Sequence, residues 1–142
     1  MKVSCSRCFS FDTAHRVLGH EGACANLHGH GYRVEITAEA DHLDTLGRVI
    51  DFGVLKEKIG AWIKTYWDHN TILFQEDTML LQALEPVAVT KPVFVSAFNP
   101  TAENMAMFLL TEICPQVLAN TGITVTHIKL WETANCYATA VL

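Results

Sequence analysis

The run Cys24-Ala-Asn-Leu-His28-Gly-His30 puts a thiol and two imidazoles within reach of one another. From Tyr32 the chain alternates. Tyr32, Val34, Ile36 and Ala38 are apolar or small, while Arg33, Glu35, Thr37 and Glu39 are polar. That is the period of a half-buried β-strand. His28 and His30 share parity with the apolar set, so a strand reaching back to them places both rings side by side on the inner face. His15 closes an earlier alternating run, with Val3, Cys5, Phe9 and Phe11 on its side, Ser4, Ser6, Ser10 and Asp12 on the other, and Arg7 breaking the pattern. A hairpin between the two runs brings His15 opposite His28 and His30. Three imidazoles on one ion leave a coordination position open, as catalytic zinc requires. An all-nitrogen set suits Zn²⁺ and is also compatible with iron, nickel or copper. His20 is a substitute ligand in the intervening loop; His42 and His127 read as surface or strand residues.

Cys24 admits two roles. As a fourth ligand it closes the site and makes it structural; as a free thiolate beside a cation it is a base or nucleophile. Asp68-His69 also admits two: an exposed helix end, or an acid/base with its electrostatic partner. Adjacent side chains on a strand point apart, so a direct contact there needs turn geometry or a relay through Cys24. Glu132 has the inward parity of Ile128 and Leu130. It either reaches water at a rim or accepts paired hydrogen bonds from an amino-heterocycle, with Thr133 beside it. Cys5-x-x-Cys8 has opposite-parity thiols and no second pair, so it reads as packing rather than as a metal or redox motif. Cys114, Cys136 and the tryptophans read the same way.

The positioning elements follow from periodicity. Strands are expected over residues 3–15, 28–40, 123–132 and 136–142. Asp51 caps an amphipathic helix over 52–66, with Phe52, Leu55, Ile59, Trp62, Ile63 and Tyr66 as its stripe. Asn99 or Thr101 caps a second helix, marked by Met105, Phe108, Leu109 and Ile113, which Pro115 kinks or ends. Residues 70–99 carry weaker signals: a short helix at 78–84, a loop at 86–92 and an added strand at 93–98. The order ββααββ predicts an α+β domain, an antiparallel sheet with two helices on one face. Its open edges invite assembly.

The chain has 142 residues, 50% hydrophobic, which suits a single domain over 1–142. A net charge of −5 and no Lys/Arg cluster argue against a nucleic-acid partner. No apolar run spans a membrane, and the first residues have no signal-peptide core, so a cytoplasmic location is expected. Five cysteines at irregular spacing are expected to be free thiols.

Taken in order, Phe11-Asp-Thr-Ala-His15, Cys24-x-x-x-His28-Gly-His30, Gly47-x-Val-Ile-Asp51-Phe52, Asp68-His69-Asn70, Asn99-Pro-Thr101-x-Glu103-Asn104 and Trp131-Glu132-Thr133 resemble the 6-pyruvoyltetrahydropterin and 6-carboxytetrahydropterin synthase family over nearly the whole chain. The resemblance implies the tunnelling fold, in which sheets of several subunits join into a barrel. It implies a homohexamer of two stacked trimers with active sites between subunits. It implies Zn²⁺ on His15, His28 and His30, with Cys24, Asp68 and His69 catalytic. Glu132 would anchor a pterin, with Thr133 and Thr101 nearby. The three-residue spacing between Cys24 and His28 is similar to bacterial 6-carboxy-5,6,7,8-tetrahydropterin synthases of queuosine and 7-deazapurine synthesis. These convert 7,8-dihydroneopterin triphosphate to 6-carboxytetrahydropterin, acetaldehyde and triphosphate. Pyruvoyl enzymes usually place the cysteine further upstream, and folate-pathway relatives use glutamate in its place. The alternatives are a pyruvoyl synthase, a non-catalytic zinc-binding protein of the same fold, and a metal-free structural domain. Residues 70–99 are longer than in compact members, which bears on substrate shape.

Overall fold

The two alternating runs pair as their parity requires. In the computed structural model, which describes all 142 residues, β1 (Val3–His15) and β2 (His28–Ala40) are antiparallel from Val3↔Ala40 to His15↔His28. β1 is flanked on its other side by β3 (Asn70–Phe74), in parallel, through Thr13↔Asn70 to His15↔Ile72. β4 (Phe94–Ser96) runs parallel to β3. β5 (Thr124–Trp131) pairs antiparallel with β2, shifted by a bulge between Thr37 and Ala38, and β6 (Tyr137–Val141) pairs antiparallel with β5. The sheet order is β4-β3-β1-β2-β5-β6.

The α+β class and the four antiparallel strands are as expected, but the sheet is mixed. β3 and β4 enlarge it from the stretch that was hardest to read. Ile72 and Leu73 are adjacent and both fully buried, so β3 lacks the alternation that reveals a one-sided strand.

Two long helical segments cover one face. α1 (52–66) starts at Asp51, whose carboxylate accepts the Gly53 N–H at 2.7 Å and an Arg48 N–H at 2.8 Å. Leu55, Ile59 and Ile63 are its buried stripe, while Phe52 and Tyr66 remain about half exposed. A π-turn at Lys56–Gly60 interrupts the α-geometry. Gly60 is there for space: a Cβ would stand 2.8 Å from a Phe9 ring carbon. α2 is the short helix Thr78–Leu84. α3 (102–117) is capped by Thr101, whose hydroxyl accepts the Asn104 N–H at 3.2 Å. Pro115 does not end it. A π-turn at Leu109–Ile113 precedes the proline, and the helix continues through Cys114–Val117.

The core lies between this helical layer and the sheet. Phe11, Tyr32, Val34, Ile36, Ile128 and Leu130 meet Leu55, Ile59, Ile63, Met105 and Leu109. The opposite sheet face is polar, with Ser4, Ser6, Cys8, Ser10 and Asp12 exposed or half exposed along β1. Three edges stay open: those of the terminal strands β4 and β6, and that of β1 before Thr13, where β3 has not yet begun to pair. No helix is long and apolar enough to cross a membrane.

Candidate active site

Strand register sets the centre of the site. His15 pairs with His28, and His30 pairs with Thr13, so all three imidazoles project from the helix-facing side at one end of the sheet. One ring nitrogen from each lies within 4.8 Å of the other two. Ring centroids are 4.7 Å apart for His15–His28, 4.8 Å for His28–His30 and 5.2 Å for His15–His30.

Neighbouring carbonyls fix two of the rings. His15 Nδ1 donates to the Pro100 carbonyl at 2.7 Å, and His28 Nδ1 donates to the Asn26 carbonyl at 2.6 Å. Each Nε2 then carries the lone pair, the usual arrangement of a ligating histidine, and that of His15 lies 3.3 Å from the Tyr32 hydroxyl. His30 Nε2 is buried and has no hydrogen-bond partner. A buried nitrogen left unpaired is costly unless something else takes its lone pair. Burial lowers the pKa of His15 and His30, outweighing the opposing pull of Glu132, so both favour the neutral form a cation needs. The residues present therefore fit a divalent ion that prefers nitrogen.

Glu132, just beyond β5, reaches into this cluster. Its carboxylate oxygens stand 3.6 Å from His30 Nε2 and 3.9 Å from His15 Nε2. The carboxylate thus forms a wall of the cluster rather than a remote rim. Tyr32 forms the floor, its hydroxyl 3.3 Å from both ring nitrogens of His15 and its ring stacked on Phe11 at 5.2 Å. Burial, then the charges of Glu132 and Cys24, push the Tyr32 pKa up, so it stays a protonated donor. Periodicity reads Tyr32 as a core position; only its shared parity with the histidines hinted at the hydroxyl.

Cys24 sits in a short 3₁₀ turn, Ala23–Ala25, half buried near Tyr32. Its sulfur stands outside the set of ring nitrogens that lie within 4.8 Å of one another. Asp68 and His69 are in direct contact, Asp68 Oδ2 to His69 Nδ1 at 2.9 Å. A left-handed backbone at His69, φ 53°, makes that geometry. The His69 N–H donates to the Asp12 carbonyl at 2.7 Å, and the Asp12 N–H donates to Asp68 Oδ1 at 2.9 Å. Burial pushes the Asp68 carboxyl up, but the Asp12 N–H, the His69 ring and Lys91 outweigh it and hold it below its usual range.

The Asp68–His69 pair does not join the imidazole cluster within this chain. It gathers with the Asp12 side chain, which has the opposite parity to His15 on β1. Thr101 caps α3 beside Pro100, and Thr133 accepts the Asn135 and Cys136 N–H groups in the β5–β6 turn. Arg16, just past β1, is committed to a bidentate pair with the buried Asp77. Arg33 lies 3.8 Å over the Trp131 ring, on the other sheet face from the histidines.

Comparison with known proteins places this geometry in context. The family model described as 6-pyruvoyl tetrahydropterin synthase matches residues 4–141. The chain is 42% identical over 135 residues to a 6-carboxy-5,6,7,8-tetrahydropterin synthase of Rickettsia typhi, covering 95% of this chain and 97% of the relative. The Haemophilus influenzae protein of the same name is 32% identical over 141 residues, covering 93% and 94%. Among solved structures, 6-pyruvoyl tetrahydropterin synthase of Caenorhabditis elegans superposes with a TM-score of 0.70 at 23% identity, covering 100% of this chain and 96% of that one. A Wolinella succinogenes protein superposes at 0.83 and 22% identity, covering 99% and 98%. Both structural likenesses concern the fold.

Proposed function

The chain belongs to the 6-pyruvoyl tetrahydropterin synthase family, and from that premise we propose that it is a zinc-dependent 6-carboxy-5,6,7,8-tetrahydropterin synthase. It would convert 7,8-dihydroneopterin triphosphate and one water to 6-carboxytetrahydropterin, acetaldehyde and triphosphate, a lyase reaction feeding queuosine and 7-deazapurine synthesis. The observation that carries this reading is the convergence of His15, His28 and His30, with an unpaired buried nitrogen, beside the Glu132 carboxylate. The curated relatives above, 42% and 32% identical, carry the carboxy name and support that product.

His15, His28 and His30 would hold Zn²⁺, which supplies Lewis acidity toward the side-chain hydroxyls of the substrate. The chain's own residues do the rest. Glu132 offers acceptor oxygens at the edge of the cluster, where a pterin's paired N–H donors can be fixed. Thr133, next to Glu132 in the chain, and Thr101 would complete that position. Cys24, outside ligand distance of the full triad, acts as thiolate and takes a proton from the substrate side chain. Asp68 orients His69, which moves protons to and from the hydroxyls.

Because Asp68 and His69 gather with Asp12 away from the triad, the complete site would combine two copies of the chain. The open edges of β1 and β6 are where such sheets join, in a homohexamer of two stacked trimers working in the cytoplasm. The test is incubation of the purified zinc-loaded protein with 7,8-dihydroneopterin triphosphate. Acetaldehyde and the 6-carboxy product are expected; a 6-pyruvoyl product without acetaldehyde, or no turnover, would refute the assignment.

A further inference from the structure

We propose that the side-chain amide of Asn99 is a positioning element for Cys24; the catalytic meaning of that position rests on the function proposed above. Asn99 treats Leu18 as a neighbouring strand would. Its Oδ1 accepts the Leu18 N–H at 2.9 Å, and its Nδ2 donates to the Leu18 carbonyl at 2.8 Å. Asn99 is itself anchored to the start of α3. Its carbonyl accepts the Thr101 N–H at 2.8 Å and the Asn104 Nδ2 at 3.0 Å.

One residue before Leu18, the Val17 N–H donates to the Cys24 carbonyl at 2.9 Å, and the His20 N–H returns to the Val17 carbonyl at 3.1 Å. The 3₁₀ turn that carries Cys24 has no side-chain cap and no buried residue. Its ends are held by the Gly22 N–H on His20 Nδ1 at 2.8 Å and by the His28 ring on the Asn26 carbonyl at 2.6 Å, and Cys24 itself is tied across the loop by this chain of contacts: α3, Asn99, Leu18, Val17, Cys24. The next residue after Asn99 supplies the carbonyl that orients His15. A single turn thus sets both a ring of the triad and the loop bearing the thiol, fixing one against the other.

The residue type follows from the geometry. Pairing with both the N–H and the C=O of one residue takes a donor and an acceptor held in one plane. Aspartate keeps only the acceptor, alanine has neither, and glutamine is a methylene longer.

The experiment compares native protein with Asn99→Ala and Asn99→Asp, zinc-loaded. Residue-resolved alkylation by iodoacetamide, followed by mass spectrometry, reads Cys24 against the exposed Cys8 and Cys136 as internal standards. Hydrogen exchange reads residues 16–26 against α1. The expected result is a Cys24 alkylation ratio changed several-fold and faster exchange confined to 16–26. Zinc content should stay native, and kcat should fall ~10- to 100-fold with KM little changed, the cost of a misplaced reacting group. Asn99→Asp should fall between the other two, and it decides the matter if the alanine variant folds poorly. An unchanged Cys24 ratio with unchanged kcat overturns the proposal, as does exchange accelerated uniformly across the chain. The alkylation and exchange readings need no substrate, so they stand even if the pterin is not turned over.

Discussion

Desolvation decides how the imidazoles behave with pH. His15 and His30 are both held below the ordinary value of 6.5, first by burial. The folded chain thus keeps them neutral where the unfolded chain protonates them, so they cost stability as pH falls through 6.5. Metal-free protein should show its urea midpoint rising from pH 5.5 to 7.5, and His30→Gln should flatten that rise. Glu132→Gln keeps the shape and removes the charge beside His30 and His15. It should retain zinc and lose ~100-fold in kcat/KM toward the pterin, because an anchoring acceptor is gone. Parity alone aligned His15, His28 and His30, and it gave Glu132 its inward direction. It could not show how close Glu132 comes to the rings, since a residue past a strand end is aimed by its turn. The left-handed His69 that lets Asp68 touch its neighbour was equally hidden, because φ is not a pattern property.

Among the elements, the long alternating strands and capped helices were legible because each buries one face at its own period. β3 was not, because Ile72 and Leu73 are buried side by side. The π-turns left no periodic trace either, although Gly60 marks the point where α1 meets Phe9. What secures the β3–α2 connection to the end of β1 is the pair between Arg16 and the buried Asp77, which also caps α2. The Arg16 guanidinium holds the Asp77 carboxyl below its reference of 3.8. The pair's contribution is therefore full above that value and lost as pH falls through the lower folded one. Asp77→Asn should cost ~3 kcal/mol at neutral pH, read by urea titration, because it leaves Arg16 without its partner. It should also remove that part of the acid dependence.

For the whole molecule, the proposed arrangement, a site shared between copies, would account for both the open edges of β1 and β6 and the separation of Asp68–His69 from the triad. That arrangement makes a quantitative prediction. Cys24→Ala and His69→Ala are each expected to be inactive. When mixed equally and reassembled, a site is whole only where a His69→Ala chain supplies Cys24 and a Cys24→Ala chain supplies His69. About a quarter of native activity should return, against none if each chain holds its own complete site. Beneath all of this lies the claim that three histidines make an open metal centre and that the thiol beside it does chemistry. The zinc content of purified Cys24→Ala, measured with its turnover and beside His28→Ala, tests that claim most directly. The account predicts native zinc without turnover for Cys24→Ala, and loss of both for His28→Ala. Loss of zinc from Cys24→Ala would contradict it, because Cys24 would then be a fourth ligand closing the site.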